Sequence, residues 1–165
     1  MESSRAIADF LRDEGFRVQL GVGELPTAIC AEYGSGGPVI AYLGEYDSLP
    51  RLNQVVAAHK ELKYADEPEQ PGHGCGHNNL GVGAAGAALL LKDAIQSGRV
   101  KGTVRFYGCP AEETLVGKVF MVRDGAFKDV DCAMTWHSHA YNGAWGACYT
   151  LSLIHISEPT RLDVI

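Results

Sequence analysis

Val39-Ile40-Ala41-Tyr42-Leu43 is an unbroken apolar run between Gly36-Gly37-Pro38 and Gly44-Glu45. A strand with one wet face alternates apolar and polar residues, so a continuous run of this length predicts a strand covered on both faces. That requirement points to a sheet with helices packed on either side. The flanking sequence supplies the parts. Ile7, Phe10 and Leu11 recur at helical spacing after Ser3 and Ser4, and Gly15 follows as a stop, which predicts a helix over 4–14. Residues 17–20, 27–33 and 38–46 are rich in β-branched and aromatic side chains and separated by Gly, Ser and Pro, and read as three strands.

Farther along, residues 80–95 have the length and Ala/Leu content of a buried helix closed by Ser97-Gly98, although Gly81, Gly83 and Gly86 lower the intrinsic propensity. A strand is expected over 103–107, a second helix over 114–123 and a short strand over 132–136. Residues 51–71 are charged, aperiodic and interrupted by Pro68, and read as an excursion from the domain. The expected architecture is α/β: a partial sheet with helices on both faces.

Composition excludes some functions. With 165 residues, 46% of them hydrophobic, the chain has material for one domain or part of one. A formal charge of −6 without a Lys/Arg cluster argues against nucleic acid or an anionic membrane as partner and favours a small-molecule substrate. The longest apolar stretch, around 81–91, is short for a membrane span, and the N-terminus has no charged-then-apolar leader, so a cytoplasmic location is expected. Cys30, Cys75, Cys109, Cys132 and Cys148 are odd in number and scattered, as free thiols in a reducing compartment would be, and those in strand-like runs are expected to be buried.

Chemistry concentrates in Gly72-His73-Gly74-Cys75-Gly76-His77-Asn78. A thiol and imidazoles separated only by glycine form the donor set of a zinc-like ion. No second Cys/His pair completes a structural zinc site, so this is expected to be one edge of a catalytic site. An alternative reading makes Cys75 a nucleophile with His77 as its base. Glu112 and Glu113 are adjacent carboxylates just past a strand, costly to bury together unless a cation is near. One can bind metal while its neighbour handles a proton. Of His137 and His139, His137 is the preferred ligand and His139 the expected loop residue. Asp47 suits a carboxylate that orients a ligand; Glu45 is open between ligand and solvated strand end, and His73 between orienting the site and flanking it. All three polar clusters follow predicted strand ends, where open α/β sheets place their sites.

Together, Glu45-Tyr46-Asp47-Ser48-Leu49-Pro50, the Gly72–Asn78 motif, Pro110-Ala111-Glu112-Glu113 and Trp136-His137 resemble the motifs of the aminoacylase/carboxypeptidase family of dinuclear metallohydrolases, in its amidohydrolase branch. The resemblance implies a zinc-peptidase-like catalytic domain, with Cys75, His77, Glu113 and His137 as metal ligands and Glu112 as general base. It implies two divalent ions, zinc or manganese with cobalt as a further candidate, and hydrolysis of an amide or dipeptide joining an acyl or aryl group to an amino acid. It also implies a homodimer or a second subunit for full-length members, and a lid domain and distal histidine ligand not found in this sequence. Carboxypeptidase-like members carry a metal-binding histidine where Glu45 stands. A non-catalytic metal-binding or regulatory domain on the same fold is the alternative. Residues 151–161, Leu-Ser-Leu-Ile-His-Ile-Ser-Glu-Pro-Thr-Arg, break the resemblance and look like a translated sequencing adapter. The expected organisation is therefore catalytic-domain sequence over 1–150 and a non-native tail over 151–165, in which His155 has no role.

Overall fold

The apolar run becomes strand β3 (Val39–Glu45), and both its faces are covered. In the computed structural model, which describes residues 2–139 and residue 143, the chain order is α1 (Glu2–Asp13), β1 (Arg17–Leu20), a short 3-10 turn (Val22–Glu24), β2 (Ile29–Ser35), β3, α2 (His77–Gln96), β4 (Gly102–Cys109), α3 (Gly117–Arg123) and β5 (Cys132–Met134). Cys148 and the proposed tail over 151–165 lie outside the described residues. The five strands form one sheet in the order β1-β2-β4-β3-β5. The first two pairings are antiparallel and the last two parallel, so β4, β3 and β5 end at the same edge.

Alternation along β4 decides what lies on each face. Val104 and Phe106 meet Ala8 and Leu11 of α1 and Ala84, Ala85 and Ala88 of α2. Tyr107 and Cys109 point the other way, toward Met121 of α3. Helices on both faces were expected, and the packing shows why α2 is so rich in alanine: small side chains bring its axis close to the sheet. Burying a side chain such as Phe106 or Leu11 contributes about 1.5–3 kcal/mol before conformational entropy is counted. No helix among the described residues is long and apolar enough to cross a membrane.

Three expectations shift. Helix α2 begins at His77, three residues earlier than its Ala/Leu content indicates. Helix α3 begins only at Gly117, because Ala111 and Leu115 adopt positive φ and keep 110–116 as a turn. Cys132, expected to be buried, is exposed: among the described residues β5 is the edge strand, with no strand beyond it. Cys30 is half-buried and Cys109 buried.

The excursion after Leu49 holds neither helix nor named strand. It is closed at its base by reciprocal backbone hydrogen bonds between Leu49 and Gly72, 3.0 and 2.9 Å long. Within it, buried Asn53 accepts from the Tyr64 amide at 2.9 Å. A side chain at residue 72 would strike the Leu52 carbonyl, since a Cβ there would lie 1.8 Å from that oxygen. The first glycine of the motif thus returns the chain to the sheet edge where the polar clusters end.

Candidate metal centre

Each functional side chain reaches the site from the end of a regular element. Glu45 is the last residue of β3, Glu112 and Glu113 follow β4, and His137 follows β5. Gly76, at φ 82°, turns the chain into α2 so that His77 occupies its first position. The left-handed conformation at residue 76 favours glycine, which accounts for its place between Cys75 and His77. The indole N–H of Trp136 donates to the Leu80 carbonyl at 3.3 Å, tying the segment that carries His137 to the first turn of α2.

His77 is the centre of the cluster and is 1% exposed. Its Nδ1–H donates to Asp47 Oδ1 at 2.8 Å, and the other oxygen of Asp47 accepts from the Glu113 amide at 3.1 Å. That pairing fixes the tautomer and leaves a lone pair at Nε2. Around Nε2 lie carboxylate oxygens of Glu45 at 3.3 Å, Glu112 at 3.7 Å and Glu113 at 3.8 Å. On the adjoining side, Cys75 Sγ is 3.3 Å from His137 Nε2. The rings of His77 and His137 meet edge to face, 6.1 Å between centroids.

The protonation preferences show a surplus of negative charge. Burial, and then the charges of Glu113, Glu112 and Glu45, push the Cys75 thiol up to about 12. Burial followed by the charge of Glu45 raises Glu112, against the opposing pull of Lys118 and His77. Burial lowers His77, but the Asp47 hydrogen bond and the charges of Asp47, Glu45 and Glu113 outweigh it, so the imidazole is held above its ordinary value. Asp47 moves oppositely: burial raises it, and the hydrogen bonds from His77 and the Glu113 amide more than compensate.

Among the described residues, two buried atoms have no hydrogen-bond partner there, His77 Nε2 and Glu113 Oε1. An imidazole Nε2 turned toward three carboxylates is costly unless positive charge lies among them, a proton on the ring in the metal-free chain or a metal ion in its place. Tetrahedral ligation at zinc-like bond lengths sets neighbouring donors roughly 3.3–3.6 Å apart. The separations of 3.3–3.8 Å around Nε2 and between Cys75 and His137 fit that demand. Among the described residues two donor groups meet the requirement, Cys75/His77/His137 and Glu45/His77/Glu112, each with its donor atoms within 4.8 Å. His77 belongs to both, yet with Nδ1 committed to Asp47 it has one lone pair and can serve one ion only.

Of the residues singled out in the sequence, Cys75, His77, Glu112, Glu113, His137, Asp47 and Glu45 are brought together. His73 is exposed and contributes to the motif's turn through its carbonyl, which accepts from the Gly76 amide at 3.0 Å. His139 is exposed and outside both donor groups. Sequence reasoning missed Lys118, whose ammonium pairs with Glu45. Its one sequence signal is its place four residues after Thr114, in the first turn beyond the paired glutamates.

Comparison with known proteins bears on the family, which the motifs resemble. Residues 41–165 match the profile of peptidase family M20/M25/M40. The chain is 48% identical over 163 residues to one of the subunits of p-aminobenzoyl-glutamate hydrolase from Escherichia coli, covering 99% of this chain and 33% of that protein. It is 31% identical over 140 residues to N-acetylcysteine deacetylase of Bacillus subtilis, covering 84% of this chain and 35% of that one. Among solved structures, the YXEP protein of Bacillus subtilis, described as a dinuclear metal-binding peptidase, superposes with a TM-score of 0.69 at 30% identity, over 84% of this chain and 37% of that one. The chain thus spans about a third of the length of these relatives. With the profile covering most of the sequence and the donor cluster falling inside the matched region, the chain belongs to peptidase family M20/M25/M40.

Proposed function

We propose that this cluster is the metal-binding and proton-transfer part of an amidohydrolase site, acting on an amide between an acyl or aryl group and an amino acid. The observation that carries the reading is the unpartnered Nε2 of buried His77, aimed into three carboxylates with Asp47 holding its other face. Cys75, His77, Glu113 and His137 hold divalent metal in this reading, two ions in all, with zinc suited to the thiolate and manganese or cobalt as alternatives. When bound, such ions polarise a scissile carbonyl and acidify water. Glu112 then accepts the proton of the attacking water and returns it to the leaving amine. Its raised pKa suits a group that must hold a proton between the two steps. Asp47 holds His77 in the tautomer that leaves Nε2 free. With Cys75, His77, Glu113 and His137 as the ligands, Glu112 is left free for the proton transfer that catalysis needs and binding does not.

The name of the E. coli relative supports an aminobenzoyl-glutamate-like substrate and a second subunit, and that of a Mus musculus relative, Xaa-Arg dipeptidase, a dipeptide-like one. The reading includes a cytoplasmic location, and it assigns little or no hydrolysis to the 165-residue chain by itself, which spans about a third of that relative. The test is a graft of residues 1–150 onto the remaining two thirds of the E. coli relative, assayed with p-aminobenzoyl-glutamate. Hydrolysis that falls about 10²–10⁴-fold in Glu112→Gln, with metal content unchanged, supports the reading. Full activity in that variant defeats it.

A further inference from the structure

Lys118 is outside every motif that marks the site, yet its ammonium pairs with Oε1 of Glu45. Glu45 is 7% exposed and held at the end of β3 by parallel pairing opposite Cys109. Its second oxygen lies 3.3 Å from His77 Nε2, close enough to reach any ion bound there, and Glu45, His77 and Glu112 form one of the two donor groups. Glu45 is therefore placed as a rival to the other ligands. A carboxylate whose charge is offset by an ammonium, and one of whose oxygens already accepts a hydrogen bond, is a weaker metal donor than a free one.

Among the described residues, Lys118 is the only lysine or arginine in an ion pair with Glu45, Asp47, Glu112 or Glu113. The charge count gives that pairing a purpose. Four ionised carboxylates and a Cys75 thiolate carry five negative charges, and two divalent ions with Lys118 carry five positive ones. A buried cluster is least costly when it closes near neutrality.

We propose that Lys118 is a positioning residue that withholds Glu45 from the metal, so that ligation at His77 falls to the neighbouring donors. This rests on the reading of the cluster as a metal centre. It is tested by titrating the metal-free full chain with cobalt(II), following affinity and visible absorption in the parent and in Lys118→Met, Lys118→Arg and Lys118→Met/Glu45→Gln. Freed from its ammonium, Glu45 adds a donor: Lys118→Met binds cobalt about tenfold more tightly, the size expected of one more carboxylate, with a weaker visible band as coordination number rises. Lys118→Arg and the double variant stay near the parent. Lys118→Gln is the second variant should the methionine chain not fold, with a change of the same sign and smaller size. Unchanged or weaker binding in the folded single variant overturns the inference while the parent's binding upholds the metal reading. Equal tightening in the double variant also overturns it, since relief of repulsion alone would then suffice. A parent chain that takes up no cobalt removes the metal reading and this inference together.

Discussion

Two charged networks grow from the same strand and differ in how their charges are met. In the middle of β4, Arg105 donates through Nε to Glu32 at 2.6 Å and through both terminal nitrogens to the two oxygens of Asp129 at 2.6 and 2.7 Å. Arg17 reinforces Glu32 at 2.6 Å. Beyond the end of the same strand, Glu112 and Glu113 join Glu45 and Asp47 around one imidazole, with one ammonium for the four carboxylates. The first network closes on itself; the second leaves two buried atoms without partners. Both are built on the same sheet, so the difference is not one of fold quality. On the function proposed above, the second network stabilises something brought from outside, and the first is structure.

The largest effect is expected at Glu112. In the graft described above, Glu112→Gln is expected to lower hydrolysis about 10²–10⁴-fold while the melting temperature and metal content stay near the parent's. Loss of metal together with activity would instead make Glu112 a ligand. Next in size, Asp47→Asn removes the acceptor that orients His77, and metal affinity measured by calorimetry should weaken about 10–100-fold. Wild-type affinity in that variant would mean that the Asp47–His77 pair only supports packing.

Arg105→Leu probes the closed network. It should lower the melting temperature by several degrees with or without added metal, because Asp129 loses its counter-charge and Glu32 keeps only Arg17, and it should leave metal affinity alone. A change in metal affinity would show that the two networks are coupled along β4. The smallest effect is in the pH dependence. The Arg105 hydrogen bonds hold Asp129 below its usual range. Burial raises Glu32, but hydrogen bonds from Arg17 and Arg105 outweigh it and hold that carboxyl low as well. Carboxyls lowered by folding contribute stability that is present above their unfolded value near 4 and is lost as pH falls through the lower folded value. Glu112, raised in the metal-free chain, contributes with the opposite sign, against the folded state as pH rises past its ordinary value. Thermal melts from pH 3 to 7 on parent and Arg105→Leu should therefore differ most at the upper end of that range and converge toward the acid end.

How much of this was legible in the sequence follows from where each residue lies. Strand ends carry information: the runs over 38–46 and 103–107 could be read from their composition, and the polar residues after them fell at one edge because the pairing is parallel. Cys75, His77, Glu112, Glu113 and His137 could be nominated because their clustering has no cheap explanation as surface. Lys118 could not, since a lysine near a helix start reads as a solvated residue and only the packing of α3 against the end of β3 gives it a partner. The exposure of Cys132 was hidden for a related reason. An apolar trio at the sheet's edge has the same local pattern as one in its middle, and strand order is not written in either.

The central claim is that the open network is a metal centre built on His77 and Cys75. Equilibrium dialysis of the metal-free chain against zinc, beside Cys75→Ser and His77→Ala, tests it most directly. The parent is expected to bind zinc and to release protons as the thiol with its raised pKa gives way to thiolate, and either variant to bind at least about a hundredfold more weakly. Zinc bound equally by all three, or by none, would contradict it.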